Sequence, residues 1–156
     1  MGEELRVNGL LKSFSYKYEI NGLDEDGEKI PDIPVVYLVL ETKRGRAKGP
    51  AILDTGFDGG IYSNIQIVRI LEGLKPVKTK RIENPLYEPV ICEIFKVKAS
   101  LTHPKLNRNI PLGEVNVYVP VEPEYLSDEV LVGREIINKL ELKLNGTWVK
   151  VELPKV

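Results

Sequence analysis

Six aspartates are scattered through the 156 residues: Asp24, Asp26, Asp32, Asp54, Asp58 and Asp128. Asp54 differs from the rest, because it follows the apolar run Ala51-Ile52-Leu53 and precedes Thr55-Gly56. A carboxylate at the end of a buried strand loses hydration unless neighbouring groups stabilise it. Thr55 supplies a hydroxyl, and Gly56 lets the backbone turn sharply enough for its N–H to reach the carboxylate. Such a turn presents a carboxylate to a cleft for general acid–base work. Asp and Gly are also ordinary strand-end turn residues, so the tripeptide by itself fits either role. The remaining chemistry is sparse. One cysteine (Cys92) forbids an intrachain disulfide, and one histidine (His103) leaves no His/Cys cluster for zinc. No metal and no other cofactor are expected. His103 reads as an exposed loop residue and Cys92 as an inert strand residue.

The elements that must position Asp54 read as mostly β. Phe14, Tyr16, Tyr18 and Ile20 alternate with polar residues, and the continuous apolar run 34–41 reads as a buried strand. KRGRAKG is the turn that returns the chain towards Asp54. Ser63 or Asn64 is placed to cap a short helix in which Ile67, Ile70, Leu71 and Leu74 share helical spacing. Residues 76–100 alternate about Asn84-Pro85 as a hairpin or long β-arm, and Val115, Val117 and Val119 mark a further strand. Val130-Leu131-Val132 leads through Gly133 into one or two helical turns, and Asn145-Gly146 is a strong hairpin signal. The chain reads as a single domain, 1–156, with an N-terminal extension over 1–30 and a core over 31–152.

About 75 residues after the Asp-Thr-Gly, Leu131-Val132-Gly133-Arg134 opens a short helix. At these two places the chain resembles the retropepsin-like aspartic proteases, whose pattern is apolar-apolar-Asp-Thr/Ser-Gly followed later by apolar-apolar-Gly-Arg and a helix. The DTGFDGG stretch is most similar to the archaeal and bacterial branch. The resemblance implies a closed β-barrel with one or two short helices and an aspartic endopeptidase activity. Its catalytic unit is two carboxylates sharing one proton across a bound water. With one such tripeptide per chain, it further implies a homodimer with Asp54 of each copy on the two-fold axis. Thr55 would lock the two loops across that axis and Gly56 would floor the peptide cleft. Phe57, Asp58, Gly59 and Asn84 are the expected substrate-side residues, with Phe57 narrowing a pocket that viral members line with Ala or Ser. Leu131, Val132, Gly133 and Arg134 would support the site, Arg134 through an ion pair with Asp58. The chain departs from viral members in its arm, which lacks glycine, and in its C-terminal stretch, which makes a hairpin of its own.

Composition narrows the alternatives. Lys+Arg number 22 against 23 Asp+Glu, for a net charge of −1, so the basic footprint of a nucleic-acid binder is missing. No apolar run reaches the ~18 residues of a membrane helix, and a cytoplasmic protein without membrane or nucleic-acid partners is expected. LDTGFDGG also looks like the phosphate loop of actin-like kinases, but those folds need two larger lobes. The alternative kept open is a dimeric peptide-binding module of the same fold without useful hydrolysis.

Overall fold

The computed structural model describes residues 4–7, 10–84 and 87–153. Strand β1 (Glu4–Val7) is followed by β2 (Leu10–Lys17), β3 (Val35–Thr42) and β4 (Gly45–Leu53). The chain continues through β5 (Ile61–Tyr62), α1 (Ile65–Leu71), β6 (Lys78–Asn84), β7 (Tyr87–Leu101) and β8 (Ile110–Pro120). It ends with β9 (Val130–Val132), α2 (Arg134–Ile137), β10 (Glu141–Leu144) and β11 (Trp148–Glu152). Seven strands form one sheet in the order β3-β4-β9-β5-β8-β7-β6, and an added β3–β7 pairing closes six of them into a barrel. The mostly β, closed-barrel architecture with one or two short helices expected from the sequence is what the chain forms, with two. No helix among the described residues is long and apolar enough to cross a membrane.

Alternation builds the barrel wall. In β3 the apolar residues Val35, Val36, Leu38, Val39 and Leu40 are all buried, as suits a strand covered on both faces. The β6–β7 arm pairs Lys78 with Ile94 through Ile82 with Val90, and its turn at 85–86, the expected tip, lies outside the described residues. Lys78, Lys80 and Arg81 are exposed on β6, the edge of the sheet, where charge discourages pairing with another chain. Helix α1 starts where expected: the Asn64 side chain accepts the Ile67 N–H at 3.1 Å. Gly73 lies just beyond its end with φ of 78°, a left-handed conformation suited to glycine.

Both chain ends meet in a second sheet, ordered β1-β2-β11-β10. Strand β2 pairs with β11, Phe14 opposite Val151 and Tyr16 opposite Val149, and all four side chains join the core that fills the barrel. The Tyr16 hydroxyl reaches across to donate to the Thr102 carbonyl at 2.7 Å. Two expectations are corrected here. Ile20 does not continue the buried alternation but is 77% exposed, because the strand ends at Lys17 and the chain turns away. His103 is not an exposed loop residue. It is buried between the Phe14 and Tyr16 rings. Its Nδ1 accepts the Lys105 N–H, which leaves Nε2 to donate to the Ser15 carbonyl at 3.1 Å, so the ring is satisfied while neutral. The sequence concealed this because the Ser15 carbonyl lies far away along the chain.

Because the Tyr16 hydroxyl ties the terminal sheet to the barrel, Tyr16→Phe is expected to lower unfolding stability by about 1–2 kcal/mol. Denaturant unfolding should show this as a lower midpoint with an unchanged slope.

Candidate active site

Asp54 sits where β4 ends, and the neighbouring strands hold it there. β9 lies between β4 and β5, parallel to the first and antiparallel to the second, with Leu53 opposite Val132 and Val132 opposite Ile61. The pairing extends one residue beyond β4, as the Asp54 N–H donates to the Val132 carbonyl at 2.8 Å. The chain then turns. The Phe57 N–H donates to the Asp54 carbonyl at 3.2 Å, and the Gly56 N–H donates to the Asp54 Oδ1 at 3.0 Å. This is the carboxylate–glycine contact that the residue types allowed. The Asp54 side chain is half-buried, while Thr55 and Gly56 are exposed.

The two sequence motifs, some 75 residues apart, are joined backbone to backbone. The Gly133 N–H donates to the Gly60 carbonyl at 2.8 Å, the Arg134 N–H to the Phe57 carbonyl at 2.8 Å, and the Glu135 N–H to the Gly59 carbonyl at 3.1 Å. Contact this close requires glycine. A Cβ on Gly133 would lie 2.6 Å from the Phe57 carbonyl oxygen, and one on Gly59 within 2.7 Å of the Phe57 and Tyr118 rings. Leu131, Val132, Gly133 and Arg134 thus all touch or adjoin the Asp54 turn.

Three site expectations change. Phe57 does not line a pocket beside Asp54. Its ring is buried beneath the turn, edge-on to Tyr118 at 5.3 Å and to Tyr62 at 6.0 Å, in a cluster with Cys92 and Ile94 of the arm. An aromatic side chain has more to gain there, under two glycines that leave room for it, than in water. Gly59 is buried between the same rings rather than facing a substrate. The Asp58–Arg134 ion pair is not formed. Arg134 Nη1 instead donates to the Thr55 carbonyl at 2.5 Å, and the exposed Asp58 carboxylate lies close enough to Tyr118 to disfavour ionisation of its hydroxyl. The arginine still braces the loop, but through a backbone oxygen. Asn84 stands at the outer end of β6.

Residues missed in the sequence complete the support. Glu135 accepts from Asn116 Nδ2 at 3.2 Å and from the Tyr118 hydroxyl at 3.4 Å, tying β8 to the start of α2. Its one legible signal is an acidic residue in the first turn of α2. The Tyr62 hydroxyl donates to the Tyr125 carbonyl at 2.6 Å and fixes the loop that precedes β9. Among the described residues no group of three or more His, Cys, Asp and Glu is arranged to hold a metal. A cavity of about 270 Å³ opens beside β4, and Asp54 is not among its lining residues.

No protein-family profile and no curated protein matches this chain. Among solved structures, the crystal structure of a retropepsin-like aspartic protease from Rickettsia conorii aligns with 97% of this chain and 96% of that one. The identity is 13% and the TM-score 0.46.

Arg134→Ala removes one exposed, charge-assisted bond, so a loss of about 1 kcal/mol is expected rather than the ~3–5 kcal/mol of a broken buried ion pair. Asp58→Asn should change stability by less. The two effects should add in the double variant, and coupling beyond ~0.5 kcal/mol in denaturant unfolding would restore the ion pair.

Alkaline pH offers a second check. Burial pushes the Cys92 thiol up to about 11 from 9.0. It also pushes the Tyr62 and Tyr118 hydroxyls up to about 12 from 10.0, with the Glu135 and Asp58 charges adding to the effect at Tyr118. Unfolding releases these groups to ionise at their ordinary values. Their contribution is therefore whole below pH 9 and is lost as pH rises through about 11 for Cys92 and about 12 for the tyrosines. The melting temperature should fall over that range, and Cys92→Val should flatten the first part of the decline.

Proposed function

We propose that this chain is an aspartic endopeptidase of the retropepsin type, active as a homodimer that brings two Asp54 carboxylates together. The observation that carries this reading is the Asp54-Thr55-Gly56 turn. The Asp54 backbone is anchored to β9 through Val132, its carboxylate is held by the Gly56 N–H, and Thr55 and Gly56 are left exposed beside it. A carboxylate pre-positioned by backbone groups needs little reorganisation when charge develops around it. The exposed Thr55 and Gly56 form a surface on which a second copy can place the same turn.

In that pair, like charges a few ångströms apart cannot both ionise, so one carboxylate carries the proton. The ionised partner takes a proton from the water between them as the water oxygen bonds to the peptide carbonyl carbon. The protonated partner donates its proton to the carbonyl oxygen, giving a neutral tetrahedral diol. Collapse of the diol transfers a proton to the leaving nitrogen, breaks the C–N bond and leaves the pair sharing one proton again. Neither a metal nor a covalent intermediate enters this scheme. The substrate would be an extended peptide lying beneath the β6–β7 arm, near Asp58 and Asn84, pairing its backbone with the strands on either side.

The test is a digest of mixed peptides read by mass spectrometry, wild type against Asp54→Asn. New cleavage products from the wild type alone, formed equally with a chelator present, are the expected result, with a bell-shaped dependence of rate on pH. Sedimentation should find a dimer at micromolar concentration for both proteins. Identical digests would leave a peptide-binding module as the reading.

A further inference from the structure

The barrel wall has a gap. Strand β9 pairs with β4 only from Ala51 to Leu53, so residues 45–49 of β4 have β3 on one side and, among the described residues, no strand on the other, with α1 packed beside Gly45. The direction of the backbone groups follows from the pairing. Leu53 donates its N–H to Pro34 of the β3 side, so odd-numbered β4 residues face β3 and even-numbered ones face away. Asp54, Ile52 and the Pro50 carbonyl are engaged by β9, which leaves the Lys48 N–H and carbonyl pointing into the gap.

The cavity of about 270 Å³ lies at this gap. Its floor is apolar and belongs to the core: Leu38, Leu40, Ala47, Ala51 and Ile67, each buried. Its mouth is acidic, with Glu19, Asp128 and Glu129 against one cation, Lys48. The carboxylates are not grouped as ligands to a metal would be. An apolar shaft beneath a negative rim, next to unpaired strand groups, is complementary to a long aliphatic chain that ends in a positive charge.

We propose that this gap is a binding site for an extended peptide segment, which pairs its backbone with Lys48 of β4 and lays a lysine side chain across the mouth of the cavity. The lysine methylenes cover Leu38, Leu40 and Ile67, and the ammonium remains at the rim among Glu19, Asp128 and Glu129. The bound segment cannot run on to Asp54, because β9 occupies the edge of β4 from the Pro50 carbonyl onward. The site is therefore separate from the proposed catalytic turn, and binding there does not require hydrolysis.

The experiment uses the full chain carrying Asp54→Asn, labelled with nitrogen-15, and titrates it with end-blocked pentapeptides of β-branched residues around a central lysine, norleucine or glutamate. The lysine peptide is expected to shift the amides of Lys48, Gly49, Ala51 and Val130 saturably. The norleucine and glutamate peptides should bind roughly tenfold or more weakly. Neutralising the rim in an Asp128→Asn, Glu129→Gln variant should weaken the lysine peptide by a similar factor and leave the norleucine peptide unchanged. Both positions are exposed, so the variant should keep the wild-type spectrum elsewhere. The proposal is overturned if the 47–51 amides do not move at millimolar peptide, if the three peptides bind equally, or if the shifts fall on residues 54–60 instead. Because Asp54→Asn is present throughout, loss of the proteolytic reading would not alter any of these outcomes.

Discussion

The structure depends on one close approach, that of Gly133 to the loop 57–60. Strand β9 is three residues long and enters between β4 and β5, which belong to a different part of the chain. So short a strand is held in place by the residues just beyond it: three consecutive N–H groups, of Gly133, Arg134 and Glu135, donate to the carbonyls of Gly60, Phe57 and Gly59. A side chain at Gly133 would collide with the Phe57 carbonyl. Without this seam β4 and β5 would have no common neighbour, the barrel would not close, and Asp54 would lose the Val132 carbonyl that anchors its backbone.

Around that seam, support comes in layers of different character. The innermost is backbone, which cannot be repacked. Next is the aromatic cluster of Phe57, Tyr62 and Tyr118 with Cys92 and Ile94, which couples the Asp54 loop to the root of the β6–β7 arm. Outermost are polar ties, Arg134 to the Thr55 carbonyl and Glu135 to Asn116 and Tyr118. The exposed ties contribute modestly to stability and chiefly orient the loop, because water competes for them. The second sheet adds an independent anchor, since β2 and β11 bury Phe14, Tyr16, Val149 and Val151 in the same core as the barrel.

The same short β9 that completes the Asp54 turn leaves much of β4 uncovered. Three residues suffice to reach from Ala51 to Leu53, and beyond them the stretch 47–50 borders the cavity beside Lys48 while α1 packs next to Gly45. Pro50 has no N–H and Lys48 carries a charge, both of which discourage indiscriminate strand addition. The edge is thereby selective rather than closed, and its acidic rim sets the sign of what can approach.

Local rules account for a good part of the molecule. The burial of β3 follows from its unbroken apolar run, the start of α1 from Asn64, and the β10–β11 hairpin from Asn145-Gly146. The contact of Gly56 with the Asp54 carboxylate lies within three residues and is equally local. The meeting of Asp54 with Gly133 was legible only because each motif has a distinctive pattern of its own. What tertiary structure alone decided concerns partners far apart in sequence. His103 is buried because Ser15, 88 residues away, offers its carbonyl. Phe57 turns inward because Gly59, Gly133 and Tyr118 together leave a space for its ring. Arg134 prefers the Thr55 carbonyl to the Asp58 carboxylate because the loop brings that oxygen nearer. Residue types and spacing determine which groups are available to bond, but a side chain's partner is chosen by distance, and distance between remote residues exists only once the chain has folded.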